Sequence, residues 1–158
     1  VTDSAAPALV ALRPARADDV EWIAELRADV LRPDLERLGR YDAIRVRQRF
    51  RDAFEPAQTR IIVVDGTDVG SVAIRSEDDA RWLEHFYIAP SHQGRGVGTR
   101  VLAAVLDDDV LYRLNVLQGS AARSLYDRHG FVLESQDDVD VFLRLDRTGR
   151  AIEESDGR

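Results

Sequence analysis

The run His92-Gln93-Gly94-Arg95-Gly96-Val97-Gly98-Thr99-Arg100 has the composition of an anion-binding turn. Phe86-Tyr87-Ile88-Ala89-Pro90 ahead of it reads as the end of a strand. Behind it, Val97, Val101, Leu102, Val105 and Leu106 recur at helical spacing. A glycine-rich turn between strand and helix leaves backbone N–H groups unpaired at the helix N-terminus, where the macrodipole favours negative charge. Gly96 and Gly98 let the backbone approach a ligand with no Cβ in the way. Arg95 and Arg100 add positive charge. The implied chemistry is phosphate binding. No Gly-Lys-Ser/Thr closes the turn, so it is not a Walker loop. Its place past the middle of the chain suits a Rossmann turn poorly.

A second segment lies downstream. Leu114-Asn115-Val116-Leu117-Gln118-Gly119-Ser120 reads as a strand entering a turn, with Ser120 as a helix N-cap. Ala122, Leu125, Tyr126 and His129 then share one helical face. Gly130 reads as the C-cap glycine and Phe131 as the start of the next strand.

Together the two segments resemble the GNAT superfamily of N-acetyltransferases. Gln93, Gly96 and Gly98 match its Gln/Arg-x-x-Gly-x-Gly/Ala motif. Val116, Leu117, Ala122, Leu125, Tyr126, Gly130 and Phe131 match its second motif. The resemblance covers roughly residues 9–145. It implies a single-domain α/β fold with a mixed, mostly antiparallel sheet flanked by helices. It also implies transfer of an acetyl group from acetyl-CoA to a primary amine, on a small molecule or a protein or peptide. The amine attacks directly within a ternary complex. In such proteins the cofactor pyrophosphate rests on backbone N–H groups, here those of Gln93, Gly94, Arg95, Gly96, Val97, Gly98 and Thr99. The pantetheine arm pairs with the strand backbone from Phe86 to Ile88, and the Ile88 N–H points at the thioester carbonyl. Tyr126 stands where the family places a phenol near the departing sulfur, as general acid. Ser120 replaces an asparagine of many relatives and is the expected side-chain contact to the cofactor. A non-catalytic acyl-CoA-binding or regulatory module is the alternative that the same loop fits.

The residues themselves narrow the base. Direct transfer requires a group that takes the ammonium proton. Glu84 and His85 lie on the strand before the loop. Strict alternation puts Trp82, Glu84 and Phe86 on one face, with His85 and Tyr87 on the other. Glu84 is the expected base, and His85 reads as a structural histidine. His92 reads as solvated, and His129 as a cap on the helix C-terminus. Trp22, Tyr41, Phe50 and Phe54 fall in the region that forms much of the acceptor wall in the family this chain resembles, with core packing the alternative for at least half of them, and Asp29 or Asp42 available to a cationic acceptor.

Composition sets outer limits. The chain has 158 residues, 44% of them hydrophobic, which suits one domain with a sizeable core. Its 22 basic and 29 acidic residues give a net charge of −7, which argues against nucleic-acid or membrane-surface partners. The absence of cysteine excludes disulfides, thiolate metal sites and an acyl-cysteine intermediate. The three histidines lack metal-ligand spacing, and no metal is expected. With no long apolar run, a cytoplasmic protein is expected, and a homodimer is allowed for.

The elements that must position these residues follow from periodicity. Residues 1–8 read as a flexible arm, 9–146 as the domain and 147–158 as a polar tail. A strand around Val10 and Leu12 precedes a helix that buries Val20, Ile23, Leu26 and Val30. Pro33 fits the first turn of a second helix, interrupted near Gly39. Strands follow at 60–64, 69–74, 81–88 and 114–117, with an Asp65-Gly66 hairpin turn between the first two. The last two strands are expected at 131–134 and 139–145. The Asp107-Asp108-Asp109 run opposes the dipole and should end the preceding helix by Leu106.

Overall fold

The computed structural model describes residues 8–149. Strands β1 (Val10–Pro14), β2 (Thr59–Val64), β3 (Thr67–Glu77), β4 (Ala80–Ile88), β5 (Leu111–Leu117), β6 (Val132–Gln136) and β7 (Asp140–Asp146) form one sheet in the order β1-β2-β3-β4-β5-β7-β6. Only β4 and β5 run parallel. Helices α1 (Val20–Arg37) and α2 (Ala43–Ala53) join β1 to β2. Helix α3 (Val97–Val105) carries the crossover from β4 to β5, and α4 (Arg123–Arg128) precedes β6. This is the single-domain α/β fold with a mostly antiparallel sheet. The segments read as arm and tail lie outside the described residues, except for residues 8 and 147–149. Among the described residues, no helix is long and apolar enough to cross a membrane.

The helices sort onto two faces. On one, Val97, Val101 and Leu102 of α3 and Tyr126 of α4 pack on Leu83, Leu114 and Leu143 of the sheet. On the other, Ile23 and Ala24 of α1 and Phe50 of α2 pack on Ile61 and Tyr87. Asp65 and Gly66 take φ of 49° and 81°, the left-handed pair that a tight hairpin demands. Helix α3 ends at Val105 with Leu106 as its C-cap, so the acidic run lies beyond it.

Several element boundaries differ from expectation, as where β3 runs on to Glu77 rather than ending at 74, and two of them bear on the site. Pro33 lies inside α1, not in the first turn of a second helix. The helix continues past it to Leu38, where a Schellman closure forms. The Gly39 N–H donates to Glu36 at 3.0 Å, and the Arg40 N–H to Leu35 at 2.7 Å. Asp42 then opens α2 by accepting from the Ile44 and Arg45 N–H groups at 3.0 and 2.9 Å. Strand β5 begins at Leu111, three residues before the expected start, because Leu111, Tyr112 and Arg113 pair with β4 on one side and β7 on the other.

Candidate active site

The site begins with a failure of pairing. Strands β4 and β5 are in register only over Ala80↔Leu111, Arg81↔Tyr112 and Trp82↔Arg113. Beyond Trp82 and Arg113 the two strands part, while each keeps its outer neighbour. Two unpaired strand edges therefore face one another. Ile88 sits opposite Gly70, and the next residue out, Ala89, donates its N–H to Val69 at 2.8 Å. Antiparallel alternation then turns the Ile88 N–H and carbonyl away from β3, toward the gap. The Gln93 side chain donates to that carbonyl at 2.8 Å, tying the loop to the strand end.

A bulge aims the side chains of β4. Ser71 pairs with Tyr87 but Ala73 pairs with Glu84, so His85 and Phe86 together oppose Val72. His85 takes φ of 47°. Its carbonyl accepts from the Ser71 hydroxyl at 2.8 Å. Gly70 permits the close approach, since a Cβ there would stand 2.1 Å from the Tyr87 carbonyl oxygen. The bulge breaks strict alternation. Glu84 shares its face with Ala73 and Arg75, opposite Leu83 and Ile74 of the α3 side. His85 lies on that same face, its ring 5.1 Å from Phe50 of α2. Phe86 points the other way, 6.4 Å from the Tyr126 ring. Glu84 and Phe86 therefore do not share a face, whereas Glu84 and His85 do.

A cleft of about 840 Å³ opens at the gap, lined by β4 from Leu83 to Tyr87, β5 from Leu114 to Leu117, α1, α2 and the β6–β7 turn. Tyr126 reaches it from α4, with its ring wedged between Phe86 and Phe131. Its hydroxyl has no hydrogen-bond partner among the described residues, and burial holds its pKa well above the ordinary phenol value. A phenol carries its proton at neutral pH in any case, and with no protein acceptor this one is free to donate a hydrogen bond. Glu84 also lines the cleft, but Arg75 holds both its oxygens, with contacts of 2.8 to 3.3 Å. His85 lies deeper. Its Nδ1 is 3.1 Å from the Tyr87 hydroxyl, which accepts from Arg27 Nε at 3.0 Å. Burial, then the Arg27 charge, lowers the His85 pKa below its ordinary value, so the ring is neutral at pH 7. Its Nε2 makes no hydrogen bond among the described residues.

The glycine loop closes the far end of β4. Gly94 and Gly96 take φ of 74° and 78°, and Gly96 is the N-cap of α3. The N–H groups of Gly94, Arg95 and Gly96 find no acceptor among the described residues. Those of Val97, Gly98 and Thr99, in the first turn of α3, have none within the helix. Six consecutive donors, Gly94 to Thr99, are therefore available to an anion, whereas the Gln93 N–H, expected as a seventh, donates to the Pro90 carbonyl at 3.3 Å. The Val97 side chain is buried in the core, so only its backbone can face a ligand. Gly98 has a packing reason as well, because a Cβ there would meet Leu125 at 2.9 Å. Arg100 is turned away and donates to the Ala8 carbonyl.

Ser120 lines the cleft, but it is not the N-cap expected: α4 starts three residues later, at Arg123, with Ala122 as its cap, and the Ser120 hydroxyl accepts from the Ala122 N–H at 3.2 Å in the turn before it. His129 Nδ1 donates to the Leu125 carbonyl at 2.8 Å and so closes α4. None of the four aromatics lines the cleft, and three take the core alternative. Phe50 is fully buried, and Trp22 and Phe54 pack against the same cluster. Tyr41 lies under the Arg32 guanidinium, 4.8 Å from its carbon. Asp42 lines the cleft as the cap of α2, and Asp29 does not line it. The wall is formed instead by aliphatic and arginine side chains of α1 and α2, among them Val30, Leu31, Arg45 and Arg49. Alternating or helical periodicity does not reveal such a wall. An interior strand glycine such as Gly70 was the available sign of a bulge.

Comparison with known proteins agrees with this geometry. Residues 57–133 match the family model described as an acetyltransferase (GNAT) domain. The PaiA N-acetyltransferase of Thermoplasma acidophilum, solved in complex with coenzyme A, superposes with a TM-score of 0.67 at 17% identity, over 87% of this chain and 99% of that one. An N-acetyltransferase of Staphylococcus aureus Mu50 gives 0.67 at 18% identity, over 85% and 100%. The ribosomal-protein-S18-alanine N-acetyltransferase of Escherichia coli gives 0.65 at 15%, over 89% and 95%. No curated protein matches by sequence. Residues 57–133 thus carry the match to an acetyltransferase (GNAT) domain, and the chain shares its fold with acetyltransferases of known structure.

Proposed function

We propose that the protein transfers an acetyl group from acetyl-CoA to a primary amine by direct attack, with Tyr126 as general acid. The observation that carries this reading is the Tyr126 hydroxyl: without a hydrogen-bond partner among the described residues, on a side chain that lines the cleft opening between β4 and β5. The residues present suit the co-substrate, which supplies an already activated thioester. The six N–H donors from Gly94 to Thr99 match a pyrophosphate. The free edge of β4 accepts an extended amide arm as an added strand. The Ile88 N–H is oriented to polarise a carbonyl oxygen at the strand end. Phe86 packs beside that edge, and Ser120 contributes a hydroxyl at its far side.

The amine proton leaves on the opposite face of the bulge. Both Glu84 and His85 border that space, and we assign the proton to His85, directly or through one water. Arg75 already occupies both Glu84 oxygens, whereas His85 is neutral at pH 7 with a ring nitrogen free of protein partners. Glu84, the base expected from sequence, then acts on the incoming ammonium by its charge. The thiolate takes its proton from Tyr126, so the acid and the base stand on opposite sides of the reacting carbon. CoA release from acetyl-CoA, measured across a panel of amines, tests the reading. Tight acetyl-CoA binding without turnover of any amine would favour a non-catalytic acyl-CoA-binding module instead.

A further inference from the structure

The acceptor wall has an asymmetry of charge. Of its carboxylates, Asp34 is paired with Arg37 at 2.8 Å and Glu84 with Arg75 at 2.8 Å. Asp42 caps α2. Across the cleft, Asp137 accepts from the Val139 and Asp140 N–H groups, and Asp140 accepts from Asn115 at 2.9 Å. Of the lining carboxylates, only Asp138 has no such donor among the described residues. The guanidiniums are in the opposite condition. Arg27 is held by the Val46 carbonyl and the Tyr87 hydroxyl. Arg40, Arg45 and Arg49 line the cleft and form no ion pair among the described residues.

Helix α2 separates its arginines by face. Arg47 and Arg51 turn toward α1, where each makes a two-pronged pair, with Glu25 and Glu21 respectively. Arg45 and Arg49, four residues apart and so one above the other, turn to the cleft. They also flank a second hollow beside it, together with Ile44 and Gln48. The acids in that hollow are engaged elsewhere: Asp42 by its cap, and Asp52 by Gln48 at 2.8 Å. Two adjacent planar guanidiniums that form no ion pair among the described residues, with the neighbouring Asp42 and Asp52 engaged elsewhere, form a fork suited to an oxyanion.

We infer that the acceptor amine carries an anionic group, a carboxylate or a phosphate, which Arg45 and Arg49 hold at the cleft mouth while its amine reaches His85. This inference names the substrate class of the site and rests on the acetyl-transfer reading above. A net charge of −7 is by itself compatible with a cationic acceptor. The charge of the whole chain acts at long range and is screened, whereas recognition is decided by groups within contact distance.

The test compares matched amines: an amino acid and its carboxamide, and phosphoethanolamine and ethanolamine, with a simple diamine as the cationic arm. The wild type should favour the anion-bearing member of one pair by at least about tenfold in kcat/KM, and the preferred pair identifies carboxylate or phosphate. In Arg45→Gln/Arg49→Gln the preference should collapse through KM, with KM for acetyl-CoA unchanged. A wild-type preference for the diamine or the neutral amines, or an unchanged preference in the double variant, overturns the inference. A second measurement is independent of turnover. Calorimetry with N-acetylated products, in the presence of CoA, should show anionic products binding at least about tenfold more tightly than their neutral counterparts, and only with both arginines present. If no amine is turned over but this difference persists, the anion site stands and the catalytic reading fails. If the difference is absent, the anion site fails whatever the turnover.

Discussion

At the scale of single residues, the proposed chemistry depends on groups set in contrasting surroundings. Tyr126 is buried, uncharged and without a hydrogen-bond partner, so its proton is available to a developing thiolate. Tyr126→Phe keeps the packing on Phe86 and Phe131 and removes only the donor. Acetyl transfer should fall by about 10²–10⁴ while acetyl-CoA affinity stays unchanged. A loss below about threefold would leave the thiolate to be protonated by water. His85 and Glu84 are separated by the pH profile. The His85 pKa is lowered by burial, so the acidic limb of kcat/KM belongs below pH 6.5. His85→Gln should lower the rate and remove that limb, whereas Glu84→Gln should lower the rate and keep it. A limb that survives in the first variant and disappears in the second would return the base to Glu84. The same shift affects stability. The unfolded imidazole takes up a proton before the folded one does, so the contribution of His85 is complete above pH 6.5 and declines as pH falls below it.

At the scale of elements, the site depends on backbone irregularities, and these mark the limit of what the sequence discloses. Periodicity was enough to find the loop, α3 and the Tyr126 helix, because a 3.6-residue stripe survives in any packed helix. It failed at β4. Alternation assumes an unbroken pleat, and the bulge at His85 inserts one residue, which carries His85 onto the face of Glu84. It failed again at Pro33, since the loss of one helical hydrogen bond did not outweigh the packing of α1 ahead of it and the Schellman closure behind it. The parting of β4 and β5 leaves no local signature, because it reflects where two distant strands cease to pair. Gly70 is the residue whose type the bulge requires. Gly70→Ala places a Cβ against the Tyr87 carbonyl, and neither backbone can move without displacing the bulge. A loss of about 3 kcal/mol or more by urea unfolding is expected. Gly98→Ala should be milder, because the Cβ would meet only the end of the Leu125 side chain. If Gly70→Ala is tolerated as well as Gly98→Ala, the bulge does not depend on that contact.

At the scale of the whole molecule, the N-terminal half of the sheet and α1 are held by a largely buried polar tie as well as by apolar packing. Asp19, with only 8% of its side chain exposed, joins β1, the start of α1 and the β2–β3 hairpin. It accepts from Arg13 at 2.9 and 3.1 Å, from Trp22 Nε1 at 2.9 Å and from the Arg16 N–H at 2.8 Å. Arg13 in turn reaches Asp68 at 2.8 Å. The Arg13 guanidinium, followed by the Trp22 and Arg16 donors, holds the Asp19 pKa well below the ordinary carboxylate value despite burial. In the unfolded chain this carboxyl titrates near about 3.9. The stabilisation is therefore fully present above that pH and is lost as pH falls through it toward the folded value. Asp19→Asn keeps the shape and removes the charge. At pH 7 it should cost about 1.5–3 kcal/mol, the range for a hydrogen bond to a charged group. The gap between wild type and variant should then narrow as the medium is taken from about pH 5 to pH 3, because only the wild type has a carboxylate to lose. Urea unfolding at several pH values measures both quantities. A gap that stays constant down to pH 3 would mean that Asp19 holds β1 and α1 together by shape rather than by charge.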